Sequence, residues 1–159
     1  SAASDVYKRQ GVEGYPDYDK INFGQVHPNV NPADIFVREN NKTYVNFEIA
    51  MNAYMFGGYP TDEQIYQYSL QNHVTDTTPP AFIWHGGEDG LIYPRNSFMF
   101  AEALREHNIP CELHVFGKGG HGLGLANEVT ENNPWEVNEQ CAMWPKLAAD
   151  WIKSILRQQ

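Results

Sequence analysis

The sequence predicts an α/β fold built on a parallel sheet flanked by helices. Three observations carry this. The second half of the chain runs strand, glycine loop, helix, strand, glycine loop, helix, the order of a right-handed βαβα unit. Its first strand, Ala81-Phe82-Ile83-Trp84-His85, is a short apolar run without alternation, as expected of a parallel strand buried on both faces. The 159 residues are 42% hydrophobic, 13% aromatic and only 19% charged, a globular rather than a disordered composition.

The elements follow in order along the chain. Residues 1–10, SAASDVYKRQ, lack hydrophobic periodicity and lead into no element. They resemble the adapter-derived peptide found at the ends of truncated metagenomic reading frames, which sets them outside fold reasoning and predicts a protein extending upstream of Gly11. Gly11 to about Asn41 is rich in Asn, Pro, Gly and Tyr, a turn-favouring text in which Ile35-Phe36-Val37 is the plausible short strand. From Tyr44 to Phe56 the spacing of Val45, Ile49, Ala53 and Phe56 predicts a helix stopped by Gly57-Gly58. Residues 11–58 thus form a loop-rich, lid-like or inserted segment, and 59–159 the βαβα region.

A second helix starts at Thr61, where Thr61 and Gln64 have the spacing of a reciprocal capping box, and it ends near Tyr68. After Thr77-Thr78-Pro79-Pro80 comes the strand 81–85, then the loop Gly86-Gly87-Glu88-Asp89-Gly90. Ser97 to His107 reads as an amphipathic helix with Phe98, Ala101 and Leu104 on one side. Cys111 to Phe116 reads as the second strand, followed by Gly117-Lys118-Gly119-Gly120-His121-Gly122. The last helix spans Met143 to Leu156, with Pro145 in its first turn and an apolar stripe of Leu147, Ala148, Trp151, Ile152 and Ile155.

Composition narrows the function classes. Eleven Lys and Arg stand against 20 Asp and Glu, a net charge of −9 with no basic run, which disfavours nucleic acid as a partner. No stretch approaches a membrane span of about 20 apolar residues. Cys111 and Cys141 make neither a disulfide framework nor a CxxC metal pattern, and no His cluster has zinc spacing. The compartment and oligomeric state are left open.

In parallel sheets, ligands and reacting groups gather past the carboxyl ends of the strands. Asp89 follows one strand and His121 the next, so a carboxylate and an imidazole share one rim. A His can accept a proton from a nucleophile when a carboxylate holds its other nitrogen as the donor. Each residue also has a plainer reading. Asp in a Gly-rich turn often bonds its own backbone, Glu88 is a rival acid, and His121 could be a simple loop residue. His85 and His114 read as structural. Trp84, Trp135, Trp144 and Trp151 could stack on sugars, but packing is the default for Trp.

The order Asp then His is that of the α/β-hydrolases. Residues from about Gly57 to Leu156 resemble the C-terminal part of an esterase of that fold, in the acetylxylan-esterase, dienelactone-hydrolase and prolyl-oligopeptidase-like branch. The resemblance is carried by Thr78-Pro79-Pro80-Ala81-Phe82-Ile83-Trp84-His85 with its loop, Phe100-Ala101-Glu102-Ala103-Leu104, Glu112-Leu113-His114-Val115-Phe116, Gly119-Gly120-His121-Gly122-Leu123-Gly124-Leu125 and Ala148-Ala149-Asp150-Trp151. It implies Asp89 as the triad acid, His121 as the general base, no metal or organic cofactor, and a small-molecule or carbohydrate ester as substrate.

The family nucleophile sits on a G-x-S-x-G elbow, and none of Ser1, Ser4, Ser69, Ser97 and Ser154 has those flanks. The expectation is therefore a serine hydrolase in full-length form, with the nucleophile half missing from this chain and the chain alone inactive. A prolyl-oligopeptidase-like peptidase and a non-catalytic βαβ binding domain are the alternatives. A sheet cut before its central strands also leaves an open edge and an apolar face, an aggregation hazard.

Overall fold

In the computed structural model, the described residues are 29–39, 42–131 and 133–157. The segment 1–28, with the adapter-like peptide and most of the turn-rich text, lies outside them. The chain divides into two compact units, Ser1–Tyr68 and Ser69–Gln159.

In the first unit, α1 (Pro32–Ile35) leads into β1 (Phe36–Glu39), which pairs antiparallel with β2 (Lys42–Val45). The expected strand at 35–37 therefore begins one residue later, because Ile35 closes α1. The helix expected from Tyr44 starts later too, as α2 (Phe47–Phe56). Thr43, Tyr44 and Val45 are strand formers, and Asn46 supplies the cap: its side chain accepts the Ile49 N–H at 3.3 Å. Gly57 ends α2 at φ 69°, the left-handed conformation that glycine adopts without penalty, and its N–H reaches Ala53 O. Val30, Ile35, Ala50 and Ala53 are buried together, with Phe36 and Ile49 packed against them. In α3 (Asp62–Tyr68) the reciprocal cap is present: Thr61 N–H donates to Gln64 Oε1 at 2.9 Å and Gln64 N–H to Thr61 Oγ1 at 3.2 Å.

In the second unit, a 3₁₀ turn (Leu70–His73) precedes β3 (Ala81–Gly86), α4 (Arg95–Glu106), β4 (Cys111–Phe116) and α5 (Trp144–Leu156). β3 and β4 are parallel, with Ala81 opposite Cys111 and Gly86 opposite Phe116. Alternation along the strands assigns the faces. Ala81, Ile83 and Cys111 pack with Val74, Phe100, Ala103, Leu104 and Ile109, most of them from α4 and its flanks. Phe82 and Trp84 face the other way, against Trp151 and Trp144 of α5; the Trp84 and Trp144 rings are stacked 5.5 Å apart.

Three expectations change. Residues 81–85 are half-buried rather than fully buried, since among the described residues β3 pairs only with β4. Phe98 is 52% exposed, and the buried side chains of α4 are Ala103 and Leu104. The α5 stripe is likewise only partly covered, with Ile152 half exposed. No described helix is long and apolar enough to cross a membrane.

Candidate active site

The ends of β3 and β4 set the site. Backbone pairing continues past both strands, with Gly87 N–H donating to Phe116 O at 2.6 Å and Glu88 N–H to Gly119 O at 3.0 Å. The two glycine loops are therefore laced to each other. Glu88, the rival acid, is turned to this lacing: its carboxylate lies 2.5 Å from Lys118 Nζ and accepts the Gly119 N–H. Those contacts hold the Glu88 carboxyl below the usual carboxylate range.

Asp89 is turned inward and only 6% exposed. One carboxylate oxygen, Oδ1, accepts the Leu91 and Ile92 N–H groups at 3.0 and 2.9 Å. This is the backbone-bonded turn that a lone Asp in a Gly-rich loop favours. The other oxygen, Oδ2, lies 2.9 Å from His121 Nδ1. The turn reading and the pairing with His121 hold together, one on each oxygen. Burial pushes the Asp89 carboxyl up, but the Ile92 N–H, His121 and the Leu91 N–H outweigh it, and the group ends below its ordinary value.

An ionised carboxylate only accepts, so the proton between the two groups sits on His121 Nδ1. In the neutral ring Nε2 then carries a free lone pair. The His121 side chain is 48% exposed, so the ring is not enclosed in the core.

The loop bearing His121 is braced from below. Gly119 adopts φ 107°, and a Cβ there would stand 2.7 Å from Cys141 Sγ. Cys141 is fully buried with Leu123 and Ala126, and its Sγ contacts Lys118 O at 3.4 Å. Trp144 Nε1 donates to Gly124 O at 2.8 Å, and Leu125 N–H to Thr130 Oγ1 at 2.9 Å. The indoles of Trp84, Trp144 and Trp151 are thus engaged in packing; the Trp135 side chain lies outside the described ones.

His114 lies away from this rim, 2.7 Å from Glu112 Oε1 and between the rings of Phe82 and Phe116. His85 does belong to it: its Nε2 is 3.2 Å from Asp89 Oδ2. The sequence signal for that contact was strand alternation, which sends His85 toward α4, together with its position four residues before Asp89. Among the described residues no group of three or more His, Cys, Asp and Glu side chains is placed to hold a metal ion.

The chain is similar to several known hydrolases. Over 74 residues the chain is 47% identical to endo-1,4-beta-xylanase B of Butyrivibrio fibrisolvens, covering 46% of this chain and 12% of that protein. The carboxylesterase Cest-2923 of Lactobacillus plantarum is 38% identical with a TM-score of 0.52, over 53% of this chain and 31% of that one. The acetyl ester-xyloside bifunctional hydrolase of Caldicellulosiruptor lactoaceticus is 37% identical with a TM-score of 0.54, over 62% and 33%. The chain therefore spans about a third of each of these solved hydrolases, and its parallel pair with flanking helices is part of an α/β-hydrolase sheet. Residues 35–135 match the prolyl oligopeptidase family, and the chain belongs to that family.

Proposed function

We propose that these residues supply the acid and the general base of a serine carboxylesterase, with Asp89 as the acid and His121 as the base. The observation that carries this reading is the 2.9 Å contact between Asp89 Oδ2 and His121 Nδ1, which leaves the other nitrogen of a half-exposed ring unprotonated.

In this reading His121 Nε2 takes the proton of a serine hydroxyl as its oxygen attacks the ester carbonyl carbon. Asp89 stabilises the imidazolium that forms. The tetrahedral adduct collapses, the alkoxide leaves with the proton from His121, and an acyl-enzyme remains. His121 then deprotonates water, whose attack releases the acid and restores the serine. None of the five serines in the chain has G-x-S-x-G flanks. In this reading the nucleophile therefore comes from sequence other than these 159 residues, and the chain by itself does not turn over ester.

Acetylated sugar esters are the favoured substrate class. The names of the similar proteins, a xylanase and an acetyl ester-xyloside hydrolase, support it. A peptidase is the second reading, favoured by the family match.

A chimera tests the esterase assignment. Residues 69–157 replace the matching segment of the Lactobacillus plantarum carboxylesterase, and circular dichroism establishes that the product is folded. Hydrolysis of p-nitrophenyl acetate and acetyl-xylan, lost in His121→Ala, is expected, with no turnover by the 159-residue chain alone. A folded chimera without esterase activity, or one unaffected by His121→Ala, defeats the assignment. Turnover by the lone chain that His121→Ala abolishes defeats its incompetence. To judge the peptidase reading, the naturally contiguous protein is assayed on proline peptides and on esters.

A further inference from the structure

Asp89 Oδ2 has two imidazoles beside it. His121 Nδ1 stands at 2.9 Å and His85 Nε2 at 3.2 Å, and they differ in surroundings: the His121 side chain is 48% exposed, that of His85 only 11%. A side chain half open to water has fewer packing neighbours to hold it in one orientation than a buried one. The exposed His121 is therefore poorly suited to fix the orientation of the acid on which it depends. The buried ring behind it is better placed.

The neighbours of that ring select its tautomer. His85 Nε2 lies 2.7 Å from the Ile92 carbonyl oxygen, which can only accept, so Nε2 carries a proton. His85 Nδ1 lies 2.7 Å from Ser97 Oγ; in the neutral ring it accepts the Ser97 hydroxyl. Ser97 sits in the first turns of α4 and His85 near the end of β3, so the β3–α4 packing selects the tautomer. The same Ile92 gives its N–H to Asp89 Oδ1. One turn is thus gripped at both ends, its amide by the acid and its carbonyl by His85.

We propose that His85 is a positioning residue for the acid: its Nε2–H, set by Ser97, pins the Ile92 carbonyl and flanks Asp89 Oδ2, so that this oxygen faces His121 in one orientation. The catalytic meaning of the role rests on the esterase reading above, but the geometry can be tested without turnover.

The readout is the tautomer of His121, obtained from the ring nitrogen shifts of the 159-residue chain at about pH 8, where free imidazole is neutral. In the wild type His121 carries its proton on Nδ1, and Asp89→Asn abolishes that preference. His85→Gln keeps a terminal N–H near the position of Nε2 and retains the His121 preference. His85→Phe keeps the ring volume without a donor and loses it. Ser97→Ala, a small change that leaves the packing intact, weakens it partway and shifts His85 from a single tautomer to a mixture.

A ring that acted only as filler would give the reverse order, with Phe retaining the preference and Gln losing it. That order overturns the proposal, as does a mixed His121 tautomer in the wild type or an unchanged one in both His85→Phe and Ser97→Ala. An inactive chimera with the His121 preference intact counts against the esterase reading and leaves this one standing. An active chimera in which no His85 or Ser97 variant moves the tautomer does the opposite.

Discussion

Gly86→Ala is the most demanding test of how the two loops are held. Gly86 is the buried last residue of β3, and a Cβ there would stand 2.4 Å from Gly119 O, 2.7 Å from Gly119 C and 2.9 Å from Gly120 O. Carbon–oxygen contacts begin at about 3.3 Å, so the loop that carries His121 must retreat by about 0.9 Å. Backbone atoms cannot swing aside as a side-chain tip can, and overpacking of this kind costs about 1–3 kcal/mol. His121 lies two residues beyond Gly119. A retreat transmitted whole would lengthen its 2.9 Å contact with Asp89 to about 3.8 Å, outside hydrogen-bond range.

Thermal melting supplies the measure of stability, and the His121 ring nitrogens supply the measure of the contact. At about 4–8 °C per kcal/mol for a unit of this size, Tm should fall by at least about 4 °C. Gly117→Ala is the control from the same loop. Its Cβ meets nothing within 4 Å and its φ is not positive, so it should be neutral or stabilise by about 0.4–1 kcal/mol through the unfolded chain. A Gly86→Ala protein that melts with the wild type and keeps His121 on Asp89 would refute the reasoning. A Gly117→Ala protein as damaged as Gly86→Ala would do so as well.

Two further outcomes follow from the same geometry. The Asp89 carboxyl sits below its unfolded value, so its ionised form stabilises the fold fully above about pH 4, and this contribution is lost as pH falls through the lower folded value. Urea denaturation should then show the wild type's advantage over Asp89→Asn shrinking as pH falls below about 4; an advantage that grew between about pH 4 and pH 3 would contradict it. Trp144→Phe removes the donor to Gly124 O, and a single such bond contributes about 0.5–1.5 kcal/mol. Its urea midpoint should drop accordingly, with no change expected if the loop is held by Cys141 and Leu123 alone.

The second unit was legible because its elements announce themselves locally. Pro79-Pro80 and Gly86-Gly87 bracket β3, Pro110 and Gly117 bracket β4, and an apolar run between such breakers leaves few conformations open. The meeting of Asp89 with His121 followed from topology, since two parallel neighbours deliver their loops to one rim.

What the local sequence leaves open is set by contacts across the sequence. Glu88 and Asp89 are adjacent and chemically alike; Lys118, 30 residues away, engages the first and His121 the second. The start of α2 was misplaced because Tyr44 and Val45 satisfy helical spacing as well as strand preference. Pairing with β1 decides between them, a partner that no window over 44–56 contains. His85 reads as an ordinary strand residue until α4 brings Ser97 to its other side.

The lacing of the loops has a consequence in time as well as in space. Gly87 and Glu88 give their amides to Phe116 and Gly119, so the segment bearing the acid cannot lift without releasing the segment bearing the base. The two amides therefore become exchangeable with solvent in one shared opening event rather than two independent ones.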